Sequence, residues 1–321
     1  MTAKKAAWLI ILALVVGMMP IAGAEQAIEP PQAAEEWTSI CTGHFHVGLP
    51  ASWYYDFDPA SDIYAISNEP DAFGPSSNTH YISEGDFTAY REILENAYTE
   101  EEIAQLIVSG FFNLSEEAAQ SLPMRSDVYG DLTFYSSPLP AGHEMGPRTV
   151  YCAYREGYIL VVIYLPNDLV DIDGLLGSVA FDPAGRKDCI LRPFACEMPG
   201  GWTVAYDSEG AVWAADPVTG DALMVINQEF PEARAAVPTL MTEKKACEAY
   251  ATGLLGVDQS TPVALEPAEY NGLTCYLLDV DDEVGTRWLM HYYDGYIIAI
   301  AFPTKAAIDC DVVFSTLRHV R

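Results

Sequence analysis

The sequence predicts an α+β protein written twice, as two tandem domains that each set helices against a sheet of antiparallel strands. Three observations predict it. Five sequence blocks recur in the same order at a spacing of about 140–150 residues, a period that fits a duplicated domain and not a solenoid unit. Within each copy, stretches of two-residue alternation flank a stretch with helical apolar spacing. Tyr158 to Leu165 and Tyr296 to Phe302 are apolar on both faces, the pattern of a central strand covered on both sides.

The chain opens with Lys4 and Lys5, then an uncharged apolar run from Ala6 to Met19. Pro20 breaks the run, and Ala22-Gly23-Ala24 places small residues at the −3 and −1 positions of a cleavage site. Residues 1–24 are therefore expected to be a signal peptide cleaved after Ala24, giving a secreted or extracytoplasmic protein. The competing reading is an uncleaved anchor, since the 19 residues from Ala6 to Ala24 carry no charge. No later segment is long and apolar enough to span a bilayer. Residues 25–37, with Pro30-Pro31, read as a flexible leader.

The first copy covers residues 38–182 and the second 190–321, with a polar linker at 183–189. Phe45 to Trp53 matches Phe194 to Trp202, and Thr99 to Phe112 matches Thr242 to Leu255 without a gap. Leu132-Thr133-Phe134-Tyr135 matches Leu273-Thr274-Cys275-Tyr276, Arg155 to Ile159 matches Tyr293 to Ile297, and Leu165-Pro166 matches Phe302-Pro303. In the first copy, Phe45 to Leu49, Ile63 to Ser67 and His80 to Ser83 read as strands. Thr99 and Glu102 form a capping box that opens a helix with Ile103, Leu106, Ile107 and Phe111 on one face. Strands at about 131–136, 148–154 and 158–165 follow. Glu156-Gly157 and Asp294-Gly295 are the hairpin turns before the last strand of each copy. Asp168 to Val179 and Lys305 to Leu317 read as closing helices.

The opening strand ending in Leu-Pro-x-x-Trp, the mid-domain helix, the Gly-Leu-Thr-x-Tyr strand, the Asp-Gly hairpin and a final helix with Ser178 or Ser315 resemble the PsbP-like superfamily. The second copy fits better, through Tyr270 to Tyr276 and Asp294-Gly295-Tyr296. The first departs at Gly130-Asp131, where the family-like order is Asn-Gly, so a different turn is expected there. The resemblance implies an antiparallel sheet flanked by helices, an α/β/α sandwich, and a non-catalytic protein that binds or assists others. It carries over no functional residue.

Composition narrows the partners. The chain has 46 acidic and 16 basic residues, a formal charge of −30 that signal cleavage would move to −32 by removing two lysines. Such a surface repels nucleic acid and anionic lipid, which need Lys and Arg to displace counterions. The seven cysteines are an odd number, so at least one stays free or pairs between chains.

Nucleophile-elbow, phosphate-loop and His-Glu-x-x-His motifs are absent, and no cofactor is expected. The best metal candidate is Cys41, His44 and His46, because alternating histidines on a strand point to one face and zinc accepts such a trio. Their repeat counterparts are Ile190, Pro193 and Ala195, so the scaffold does not require ligands there. Asp279, Asp281, Asp282 and Glu283 form an acidic hairpin loop of the oxygen-rich kind calcium takes, although Val284 and Met290 occupy the positions an EF-hand gives to glycine and glutamate. The competing readings are a strand start with incidental histidines and a solvated acidic loop. Tyr54, Tyr55, Tyr64, Trp213 and Trp288 are candidates for a stacking platform or for core. The function these features support is a non-enzymatic binding or accessory protein outside the cytoplasm, its partner a protein or envelope component. The alternatives are a calcium- or zinc-dependent binding protein and a secreted hydrolase with an unrecognised carboxylate pair.

Overall fold

The computed structural model describes residues 37–320, apart from 71–72, 74–77, 112–121, 140–144, 167–170, 207–210, 259–262, 282–284 and 306–310. The signal peptide and most of the leader therefore lie outside the described residues. Two compact units divide the chain, one reaching to Arg186 and the other running from Lys187 to Val320. Among the described residues no helix is long and apolar enough to cross a membrane.

The first unit begins with β1 (Trp37–Pro50), β2 (Tyr54–Asp58), β3 (Ile63–Ser67) and β4 (His80–Asp86). Helices α1 (Arg91–Ala97) and α2 (Glu100–Phe111) follow, then β5 (Arg125–Tyr129), β6 (Leu132–Pro138), β7 (Thr149–Arg155) and β8 (Tyr158–Tyr164). The short α3 (Ile172–Gly177) leads into β9 (Ala180–Leu191), which carries the chain into the second unit. That unit has β10 (Phe194–Pro199), β11 (Thr203–Tyr206), β12 (Val212–Ala215), β13 (Ala222–Glu229), α4 (Pro231–Ala236) and α5 (Glu243–Leu255). It closes with β14 (Glu266–Tyr270), β15 (Leu273–Val280), β16 (Thr286–Tyr293), β17 (Tyr296–Pro303), α6 (Asp311–Phe314) and β18 (Arg318–His319).

Each unit holds a seven-stranded antiparallel sheet. The order is β2-β3-β4-β8-β7-β6-β5 in one and β11-β12-β13-β17-β16-β15-β14 in the other, the same order copy for copy. Even the register repeats. Asp86 pairs with Tyr158 where β4 meets β8, and Glu229 with Tyr296 where β13 meets β17. The capping box forms as expected, with the Thr99 amide donating to Glu102 Oε2 at 2.8 Å and the Glu102 amide to Thr99 Oγ1 at 3.2 Å. Both last hairpins turn through two residues of positive φ, Glu156-Gly157 and Asp294-Gly295, which matches the strand twist. Asn271-Gly272 does the same, whereas at Gly130-Asp131 Gly130 alone is positive, the difference that its residue order predicts.

The α+β sandwich with flanking helices is not the architecture. The protein is mostly β, with 50% strand against 21% helix, in three antiparallel sheets of four, seven and seven strands. Helices cover one face of each large sheet. Leu94, Ile103 and Ile107 pack on Val150, Cys152, Ile159 and Val161 in the first unit, and Ala246, Cys247 and Ala251 on Tyr276, Met290 and Ile297 in the second. The other face is closed mainly by strands of the four-stranded sheet, which contains β1, β9, β10 and β18. In the second unit Phe194, Cys196 and Met198 of β10 bury Val212, Val225, Ile298 and Ile300, with Val313 and Phe314 of α6 beside them. In the first, Phe45, Val47 and Leu49 of β1 are buried and β1 crosses β4. Burial of each such side chain contributes about 1.5–3 kcal/mol.

Among the described residues the closing helices are α3 (Ile172–Gly177) and α6 (Asp311–Phe314), and after each the chain turns into a strand of the four-stranded sheet. Residues 183–189, read from composition as a linker, lie within β9. Ser178 accepts a hydrogen bond from the Gly48 amide at 2.9 Å, and Thr316 from the Glu197 amide at 2.8 Å. Through these hydroxyls the repeat equates Ser178 with Thr316, not with Ser315, and makes His319 the counterpart of Phe181 in the repeat.

Candidate functional site

The first unit gathers its reactive side chains around the middle of β1. Gly43 sits at φ +149°, a conformation that favours glycine, and a Cβ there would stand 2.5 Å from Glu84 Oε1. The opening admits the Glu84 carboxylate from β4. Its Oε2 accepts from the His44 amide at 2.7 Å, the Phe45 amide at 3.2 Å and Thr42 Oγ1 at 2.9 Å, and its Oε1 lies 2.9 Å from His44 Nδ1. The His44 ring stacks on Tyr158 with centroids 3.5 Å apart. Gly185 covers its other nitrogen, since a Cβ there would stand 2.8 Å from Nε2.

His46 belongs to a separate row. Its Nδ1 is 3.2 Å from Cys41 Sγ, and its Nε2 is 3.5 Å from Asp182 Oδ2, which Arg186 also approaches at 3.8 Å. The structure thus splits the trio Cys41, His44 and His46. Cys41 and His46 meet, while His44 turns to Glu84. A thiol, an imidazole and a carboxylate in line is the arrangement that activates a thiol nucleophile. Cys41 is fully buried, however, and a substrate must reach the sulfur. No local sequence signal marks Glu84 or Asp182, because each meets its histidine through long-range strand packing.

The second unit places its histidines elsewhere. His291 on β16 has Nδ1 2.8 Å from the Thr274 carbonyl and Nε2 2.9 Å from His319 Nε2 on β18. His319 stacks on Tyr293, centroids 3.8 Å apart. Burial holds His291 below the ordinary histidine value, and burial with the neighbouring His291 holds His319 down at about 4. In the first unit the fully buried His80, between Trp53 and Tyr164, is pulled down to about 3 by burial and by Arg148. Its Nδ1 accepts from the Leu165 amide at 3.0 Å, which fixes the tautomer.

In the acidic hairpin, Asp279 forms a two-pronged pair with Arg287 at 2.7 and 2.9 Å, which holds its carboxyl below the usual range. Asp281 is exposed, and Asp282 and Glu283 lie outside the described residues. The aromatic candidates separate. Tyr55, Tyr64 and Trp288 are buried in core, Tyr54 is half-buried, and Trp213 is 48% exposed beside Met224 and Ala205 of the neighbouring strands.

No family model matches the chain, and no curated protein matches it. A crystal structure from Bacteroides thetaiotaomicron is similar at 12% identity over 40% of this chain and 46% of that one, with a TM-score of 0.27. The chain thus matches less than half the length of that protein, and a similarity of this size carries no argument.

Proposed function

We propose that the protein works outside the cytoplasm as a non-enzymatic binding or accessory module for a cationic protein or envelope component. The observation that supports this is the commitment of its reactive side chains to contacts inside their own unit. Cys41 faces His46, His46 faces Asp182, His44 is held by Glu84 and Tyr158, and His291 faces His319. A nucleophile or general base must meet substrate, and these groups meet the fold. The 46 acidic residues against 16 basic favour a cationic partner, and the amino-terminal segment supports export. The PsbP-like resemblance is in line with partner binding.

The test is saturable binding of the chain from Glu25 onward to envelope fractions of its own cell. Binding that is lost near about 1 M salt, where charges are screened beyond about 3 Å, supports the reading. Turnover on glycan, peptide or ester panels that disappears in Cys41→Ala or Glu84→Gln overturns it.

The close approach of Cys41 Sγ and His46 Nδ1 favours a second reading, zinc held by these two, with Asp182 orienting the ring through its far nitrogen Nε2. Zinc at 100 times its dissociation constant would add about 2.7 kcal/mol of stability. The thermal shift would vanish in His46→Ala and persist in His44→Ala.

A further inference from the structure

We infer that Cys189 and Cys196 form a cross-strand disulfide when the chain folds in the presence of an oxidant. β9 ends at Leu191 and β10 begins at Phe194, joined by the two-residue turn Arg192-Pro193. In an antiparallel hairpin of that length Leu191 stands opposite Phe194, and two residues further back Cys189 stands opposite Cys196. Residues directly opposite have Cβ atoms about 4.5–5.5 Å apart, close to the 3.5–4.5 Å that a disulfide spans. The side chains also share one environment. Both are buried in the same cluster against Phe194, Val225 and Phe314, and the two thiols are hydrogen-bonded to each other.

Among the described residues, the other cysteines of the second unit do not offer this. Cys247 packs on the helix side of the large sheet and Cys275 on the opposite side, so the sheet itself separates them. In the first unit Cys41 faces an imidazole.

The bond forms by exchange with a small-molecule disulfide such as oxidised glutathione. One thiolate displaces a glutathione thiol to give a mixed disulfide, and the second thiolate displaces the other. Two protons and two electrons leave the protein, and two molecules of reduced glutathione are released. The adjacent Cys196 thiol, together with burial, raises the Cys189 thiol well above its ordinary value, so exchange belongs to folding, before β10 closes over the sheet.

The purified chain is unfolded, refolded with oxidised glutathione, alkylated and digested with chymotrypsin, which cuts after Leu191 and Phe194. A Cys189 peptide joined to a Cys196 peptide and released by reductant is the expected result. The oxidised protein should also melt about 5–10 °C above its reduced form, and Cys189→Ser/Cys196→Ser should lose that difference. Alkylation of both cysteines after refolding, or either one joined to a different cysteine, overturns the inference.

Discussion

The two units share a strand order and differ in what they place on it. Trp53 and Trp202 close the same turn, their amides donating to the carbonyls of Pro50 and Pro199. Ser178 and Thr316 hold the same amide of the opening strand. The chemistry diverges. Cys41, His44 and His46 correspond to Ile190, Pro193 and Ala195, and the second unit's facing histidines sit on β16 and β18 instead. Positions kept by both copies are those the fold needs to close a sheet face, while positions unique to one copy were free to acquire another role.

The largest effect that would break this comparison is expected at Gly43. Gly43→Val strains the backbone and pushes on Glu84, and should cost the first unit about 2–4 kcal/mol. Hydrogen exchange of β8 should accelerate while β17 is unchanged. Equal acceleration of both would mean that the Glu84 cradle is not a property of one unit.

Acid should come next. A histidine held below its ordinary value stays neutral when folded, so the unfolded chain binds the proton first. Stability is then full above about pH 6.5 and falls as pH drops toward about 3 for His80 and about 4 for His319. Near pH 4 the stability lost through His80 is about 3 kcal/mol, roughly 2.5 pH units at about 1.36 kcal/mol each. Urea midpoints against pH should show the fall, and His80→Leu should flatten it in the first unit alone.

Ser178→Ala and Thr316→Ala should each cost about 1 kcal/mol in their own unit, and unequal costs in denaturant melts would separate the two closing strands. The smallest effect is expected at the exposed Asp279 pair, where Arg287→Gln should change stability by less than about 0.5 kcal/mol. A larger loss in that melt would make the acidic hairpin a structural element peculiar to the second unit.

The repeat, the hairpin turns and the helix cap were legible in the sequence because each rests on residues close together in the chain. Thr99 needs Glu102, and Gly157 needs Glu156. The central strands were legible too, since a run such as Tyr158 to Tyr164 has no polar face to show water. Composition misled at 183–189. Its Pro, Gly and charges suit a linker, yet these residues run within a strand of the four-stranded sheet. Helices do form within the expected closing segments, at Ile172–Gly177 and Asp311–Phe314, but the strands that follow them were missed, because a short stretch shows its strand character only once its partner is known.

Sequence alone thus determined the duplication, the charge and the local turns, whose causes lie within a few residues of backbone geometry. Tertiary structure alone decided that strands, not helices, close the second face of each sheet. It also decided that Glu84 takes His44 from beside His46, and that Cys189 and Cys196 are buried in one apolar cluster. Those outcomes depend on which distant segments pair, and pairing is set by the whole sheet, not by any residue's neighbours in the chain.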